Sequence, residues 1–187
     1  MAIKTFTTGE VLTASDTNTY LSNSGLVYIA STTFAGATPG VEMSNCFSST
    51  YDNYEVLISY YGSASTNTSI QMMTGTNTKD VSATYTRVGY YWTSSITNFN
   101  AAGQTAWFNI NHGTNSASPS NAQWTIYKPN VSGVKTESRS RGYSGDSDLT
   151  VSIDQYTAAT TAYTGLYLFP TSGTITGTIT IYGYRKP

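Results

Sequence analysis

From residue 53 the chain alternates with period two. Tyr54, Val56, Ile58 and Tyr60 fall on one side, and Glu55, Leu57, Ser59 and Tyr61 on the other. The first set is apolar or aromatic throughout and the second is mixed, the signature of a strand with one face in a core. Val, Ile and Tyr favour extended backbone. The lead-in Tyr51-Asp52-Asn53 and the following Gly62-Ser63 carry turn chemistry. This stretch is the expected centre of the fold.

Strand-like runs succeed one another from residue 26 onward. LVYIASTTF and VEMSNCF precede the central YEVLISYY. TSIQMMTG, ATYTRVGYYW, TAWFNIN, AQWTIYK, VKTESRS, LTVSIDQY, YTGLYLF and TITGTITIYGY follow it. The separators GATPG, GSASTN, TNTKD, NAAGQ, HGTNSASPSN, PNVSG, GYSGDSD and FPTSG are rich in Gly, Pro, Asn, Asp and Ser. Short strands at this spacing predict an antiparallel sandwich or barrel. A parallel α/β sheet is excluded, because no connection is long enough for a crossover helix. The segment 112–121 reads as the foremost surface loop, since its polarity and Pro119 keep it from pairing.

Residues 1–25 differ from the rest and are expected to form an attachment arm ahead of a β-sandwich domain at 26–187. Thr13-Ala14-Ser15-Asp16 has the form of a capping box, with Asp16 in the usual Glu/Gln position. A short helix is expected from 14 to about 21, stopped by Asn23-Ser24-Gly25. The arm's apolar side chains are Ile3, Phe6, Val11, Leu12, Tyr20 and Leu21, the candidate attachment residues.

Composition sharpens this reading. Only 10% of the 187 residues are charged, against roughly 25% in an average domain. Ser, Thr, Asn, Gly and sixteen tyrosines stand in their place. A formal net charge of −1 gives no global field toward nucleic acid or anionic membranes. Cys46 is the only cysteine, so no internal disulfide forms. No apolar run reaches bilayer length, and the first residues lack the apolar core of a signal peptide, so synthesis in a cytoplasm is expected.

Candidate chemistry is sparse. His112 is the only histidine, and no G-x-S-x-G elbow accompanies it. Zinc would need more His or Cys ligands than the chain has. Asp146-Ser147-Asp148 resembles a fragment of a calcium loop but lacks the closing Glu. No catalytic residue, metal or cofactor is expected. Lys135, Arg139 and Arg141 alternate onto one strand face with Glu137, which partly cancels them. Tyr90, Tyr91 and Trp92 are consecutive, so at least one faces away from the core. Tyr91, Trp92, His112 and Asn115 are the candidates for an outward binding surface, suited to adaptable interfaces or sugar stacking.

Three stretches carry a family resemblance: the opening KTFTTGEVLTASDTNTYLSNSGLVYI, the central FSSTYDNYEVLISY, and the ending LYLFPTSGTITGTITIYGYRKP, with AQWTIYKPN as a weaker fourth. Together they resemble small β-sandwich virion proteins of tailed bacteriophages. Residues 62 to about 103 do not share in it. The resemblance implies a jelly-roll-like all-β sandwich, commonly a homotrimer, without catalytic residues, assembled in a host cytoplasm into the virion. It implies a tail-fibre or adsorption appendage first. A head decoration protein bound to the capsid and a non-catalytic carbohydrate-binding module are the alternatives. The implied partners are copies of itself, other tail or capsid proteins and a host surface glycan, with no nucleic acid and no membrane insertion.

Overall fold

A computed structural model describes residues 7–11, 13–16, 25–145 and 149–186, with backbone only at 108–112. One short helix, α1 (Ala14–Asp16), precedes thirteen strands in the described residues. They are β1 (Leu26–Ala37), β2 (Val41–Met43), β3 (Tyr51–Gly62), β4 (Thr66–Gly75), β5 (Thr78–Lys79), β6 (Tyr85–Trp92) and β7 (Ile96–Gln104). β8 (Trp107–His112), β9 (Ser120–Tyr127), β10 (Glu137–Ser144), β11 (Leu149–Thr157), β12 (Gly165–Pro170) and β13 (Ile175–Arg185) complete the set.

Two antiparallel sheets form the expected all-β sandwich. The wide sheet has the order β1-β13-β3-β9-β10-β11-β6-β7, and the narrow one β2-β12-β4-β5, with β8 also paired to β4. Eight of these strands, β1-β13-β3-β9 facing β2-β12-β4-β8, have the connectivity of a jelly roll, in which successive strands alternate between sheets except at the β4–β8 pair. The other five are insertions. β5, β6 and β7 follow β4, and β10 and β11 follow β9. Four of them continue the wide sheet past β9, so that it outruns the narrow one.

The core follows from the period-two pattern. Tyr54, Val56, Ile58 and Tyr60 of β3 all point inward and are buried, beside Ala122, Trp124 and Ile126 of β9 and Ile175, Ile179 and Ile181 of β13. Trp124 lies 6.0 Å from Trp107 between ring centroids, and Trp107 meets the edge of Tyr85 at 5.7 Å. Gly177 is needed where β13 crosses β3: a Cβ there would lie 2.1 Å from the Ser59 carbonyl. The inward row of β10 is small (Ser138, Ser140, Gly142, Ser144), which lets β8 pack close over it.

Several sequence expectations change. Residues 100–104 were expected as a separator and 96–99 were assigned to no strand, yet 96–104 form β7, an edge strand paired only to β6 among the described residues. An edge strand exposed along most of its length needs few apolar residues, so its Asn, Ala and Gly content hid it. β5 is a two-residue strand inside an expected turn. β10 runs on to Ser144, through a stretch assigned to a turn. In the expected loop 112–121, His112 ends β8 and Ser120 opens β9.

At the chain start the capping box is present. The Thr13 N–H donates to Asp16 Oδ2 at 3.1 Å, and the Asp16 N–H donates to Thr13 Oγ1 at 3.1 Å. The helix expected to about residue 21 is described only over Ala14–Asp16, and its remainder lies outside the described residues. Ile3, Phe6, Leu12, Tyr20 and Leu21 also lie outside them. Val11 is 78% exposed.

Two outcomes test this core. Trp124→Ala is expected to cost about 3–5 kcal/mol in urea unfolding, whereas Thr150→Ala, exposed on the opposite face, should stay within about 0.5 kcal/mol. The hydroxyls of Tyr60, Tyr85 and Tyr163 are pushed well above their ordinary value, chiefly by burial. The unfolded chain ionises near the ordinary value of about 10 while the folded chain does not. Stability, complete below pH ~10, therefore falls as pH rises above it. In an alkaline titration, tyrosinate absorbance from these residues should appear together with loss of β circular dichroism.

Candidate binding surface

The outward side chains of the wide sheet form one continuous face, which the strand registers order into rows. One row runs Tyr28, Tyr182, Glu55, Thr125, Arg139, Asp154 and Val88 across the sheet. The next runs Ser31, Thr180, Leu57, Gln123, Arg141, Ser152 and Tyr90. Most exposed large apolar side chains of the described residues sit here; Val11, Val81 and Val134 are the exceptions. Seven of these ten gather at two diagonal corners. Leu26, Tyr28 and Tyr184 make one on β1 and β13, where Tyr28 meets the edge of Tyr182 at 6.1 Å. Val88, Tyr90, Trp92 and Ile96 make the other on β6 and β7.

Between the corners the face is mostly polar, with Leu57, Tyr143 and Tyr156 as its exposed apolar members. Arg139 pairs with Asp154 at 2.9 Å, both largely exposed, a bond that adds little stability. Lys135 stands 5.2 Å over the Tyr156 ring. Glu55 points outward on β3 yet is only 2% exposed. Thr125 Oγ1 and Tyr184 OH each donate to its Oε2 at 3.1 Å, and Gln123 Nε2 donates to Oε1. The carboxylate thus ties three strands together across the face. Burial and then its bond to Glu55 push the Tyr184 hydroxyl above the ordinary tyrosine value.

The four residues expected on an outward surface are placed differently. Trp92 points outward and is 57% exposed. Tyr91, its neighbour, points inward and stacks on Phe99 with centroids 6.3 Å apart. One surface therefore does not hold both. Asn115 is exposed, but its Oδ1 accepts from the Ala117 N–H at 2.9 Å and its carbonyl from the Ser118 N–H at 3.2 Å, so it shapes its own loop. His112 closes β8, opposite Thr66 of β4. The 113–119 loop, the β6–β7 turn and Trp92 share one end of the sandwich, as the pairings of Tyr60 with Ser120 and of Trp92 with Ile96 require. The face-wide residues that sequence reasoning missed, such as Tyr28, Leu57 and Tyr184, carried only a weak signal: the outward parity of strands known to alternate.

A second concavity lies on the inner side of that end, where the wide sheet outruns the narrow one. It is a cleft of about 370 Å³ lined by Asn67, Arg87, Tyr91, Phe99, Asn100, Leu149 and Val151.

Reactive groups have structural duties. Cys46 is buried, donates to the Met43 carbonyl at 3.1 Å, and has its thiol pushed up to about 12 by burial. Asp80 accepts from Tyr163 OH and from the Ser82 N–H, and its carbonyl accepts from Tyr85 OH at 3.1 Å, which staples the β5–β6 connection to the core. Among the described residues no group of three His, Cys, Asp or Glu side chains is arranged to hold a metal ion. No protein-family model and no curated protein matches the chain.

Removing Glu55 tests the face's central tie. Glu55→Ala leaves three donors without their acceptor and should cost about 1–3 kcal/mol in urea unfolding, with Glu55→Gln recovering part of that loss.

Proposed function

We propose that the chain is a structural subunit of a tailed-bacteriophage virion, a surface-exposed tail-fibre or adsorption appendage that acts by contact and without catalysis. The jelly-roll connectivity agrees with what the resemblance of the opening, central and closing stretches implies. The observation that carries the reading is the pair of apolar corners on the outer face of the wide sheet.

These corners suit copies of the chain itself. A closed ring needs a heterologous contact, in which one patch meets a different patch on the next copy. The Leu26–Tyr28–Tyr184 corner and the Tyr90–Trp92–Ile96 corner are two such patches, about 29 Å apart across six strand spacings. Each is aromatic and free of charge, as the centres of subunit contacts are. A homotrimer joins each corner of one kind to the other kind on its neighbour. The polar centre and the loop end that carries Asn115 then remain outside, available to other virion proteins or to a host surface.

Light scattering on the purified protein tests the assembly. Wild type is expected as a trimer at micromolar concentration. The pairs Leu26→Ser with Tyr28→Ser, and Tyr90→Ser with Trp92→Ser, should each give folded monomers. A mixture of the two variants should form a one-to-one dimer, since one good contact remains and the ring cannot close. A wild-type monomer, or variants that stay trimeric, would overturn the assembly. Antibodies raised against the chain should label the tail of the phage that encodes it. Label on the capsid alone would favour the decoration role instead.

A further inference from the structure

A shallow trough crosses the outer face of the wide sheet between the two apolar corners. The registers place Ser59, Asn121 and Tyr143 in one outward row and Leu57, Gln123 and Arg141 in the next. The trough runs between these rows and encloses about 530 Å³. Ile58, Ala122 and Gly142 have inward parity, so main chain forms its floor. Thr178 and Thr180 of β13 bound one end and Thr150 of β11 the other. It therefore spans four strand spacings, about 19 Å.

The floor strands β3, β9 and β10 are paired on both sides. Their main-chain groups are used within the sheet, so an extended peptide cannot add itself here as another strand. A ligand in the trough meets side chains instead. The hydroxyls of Ser59, Thr150 and Thr178 and the guanidinium of Arg141 have no hydrogen-bond or ion-pair partner among the described residues. Across the strands Arg141 faces Gln123 and Ser152, both neutral. Arg139, its neighbour on the same side of β10, is paired with Asp154, and Glu55 is held by three donors. No Asp or Glu lines the trough, so its one charged side chain is a cation.

We propose that this trough binds a linear acidic oligosaccharide lying across the strands. A uronate carboxylate sits on Arg141, ring faces rest on Leu57 and Tyr143, and hydroxyls bond to Ser59, Thr150 and Thr178. The guanidinium fork matches a carboxylate with two parallel hydrogen bonds. Apolar and aromatic side chains suit the C–H faces of sugar rings. Tyr143 is also engaged within the chain, and its role needs only its exposed ring surface. Side-chain hydroxyls both donate and accept, as sugar hydroxyls require of their partners. The volume lies within the range of ligand sites, about 300–1,000 Å³. The trough is made by one chain and does not depend on the virion role or on the ring of copies.

Calorimetry on the full chain tests the proposal with β-linked tetraglucuronate and cellotetraose, which differ in their carboxylates, and with tetraglutamate as an acidic peptide. Tetraglucuronate is expected to bind about three- to tenfold more tightly than cellotetraose, the value of one exposed charge-assisted bond. That difference should vanish in about 1 M salt, where charges are screened within about 3 Å. Tetraglutamate should bind more weakly than either sugar, because it has no rings or hydroxyls. Arg141→Gln should bring tetraglucuronate down to the level of cellotetraose, and Ser59→Tyr, which fills the trough, should abolish both. Should Ser59→Tyr fail to fold by circular dichroism, Leu57→Glu serves instead: it should weaken tetraglucuronate below cellotetraose. Equal binding of the two sugars to the wild type, tetraglutamate binding as tight as tetraglucuronate, no binding of either sugar at millimolar concentration, or binding unchanged in these variants would each overturn the proposal.

Discussion

The inward row of β3 is the constraint on which the rest depends. Tyr54, Val56, Ile58 and Tyr60 lie in the middle of the jelly roll, with β13 on one flank and β9 on the other. A one-residue slip in either pairing would turn these four side chains to water and bring Glu55 and Ser59 inward. The register of the whole wide sheet is therefore held by the cost of exposing that row. Tyr54 and Tyr60 also carry hydroxyls that must be satisfied once buried. Tyr54 donates to the Ser48 carbonyl at 2.8 Å, and Tyr60 shares a hydrogen with Thr68. These bonds bind the central strand to the segment before it and to the opposite sheet, so apolar burial and polar satisfaction point to one register.

The insertions convert this common framework into something particular. Alone, β9 would end the wide sheet at an exposed edge. β10, β11, β6 and β7 continue it, and their overhang creates two features: the outer aromatic corner around Trp92 and the inner cleft around Arg87. Tyr90 and Trp92 supply the first, while Arg87 and Tyr91 supply the second, from alternate positions of one strand. A single eight-residue strand thus serves two surfaces, because successive side chains in a strand point to opposite faces. Gly89 keeps the arrangement possible by leaving space for Phe99.

Low charge fits this architecture. A face of Thr, Ser, Asn, Gln and Tyr is soluble without Lys and Glu, yet it loses less on burial than a charged face does. Several ionic groups are held locally: Arg139 by Asp154, Lys79 by Glu42, and the Glu55 carboxylate by three hydrogen-bond donors. Contacts made by such a surface gain little from long-range attraction and depend on shape and aromatic burial.

By itself the sequence determined the all-β sandwich, its central strand, the alternation along most strands and the capping box of Thr13 and Asp16. These are local properties, set by side-chain period, β-branched and aromatic content, and turn residues within a few positions of each other. The neighbours of each strand were decided only in three dimensions. Nothing near residue 96 announces that β7 will extend the sheet, since an edge strand need not bury an apolar face. The candidate residues Tyr91 and Trp92 show the same limit. Their adjacency in sequence required them to face opposite ways, but which side was core depended on where β11 and β7 lay. Likewise the cleft joins Asn67, Arg87 and Leu149, residues far apart along the chain, and only the packing of one sheet against the other brings them together.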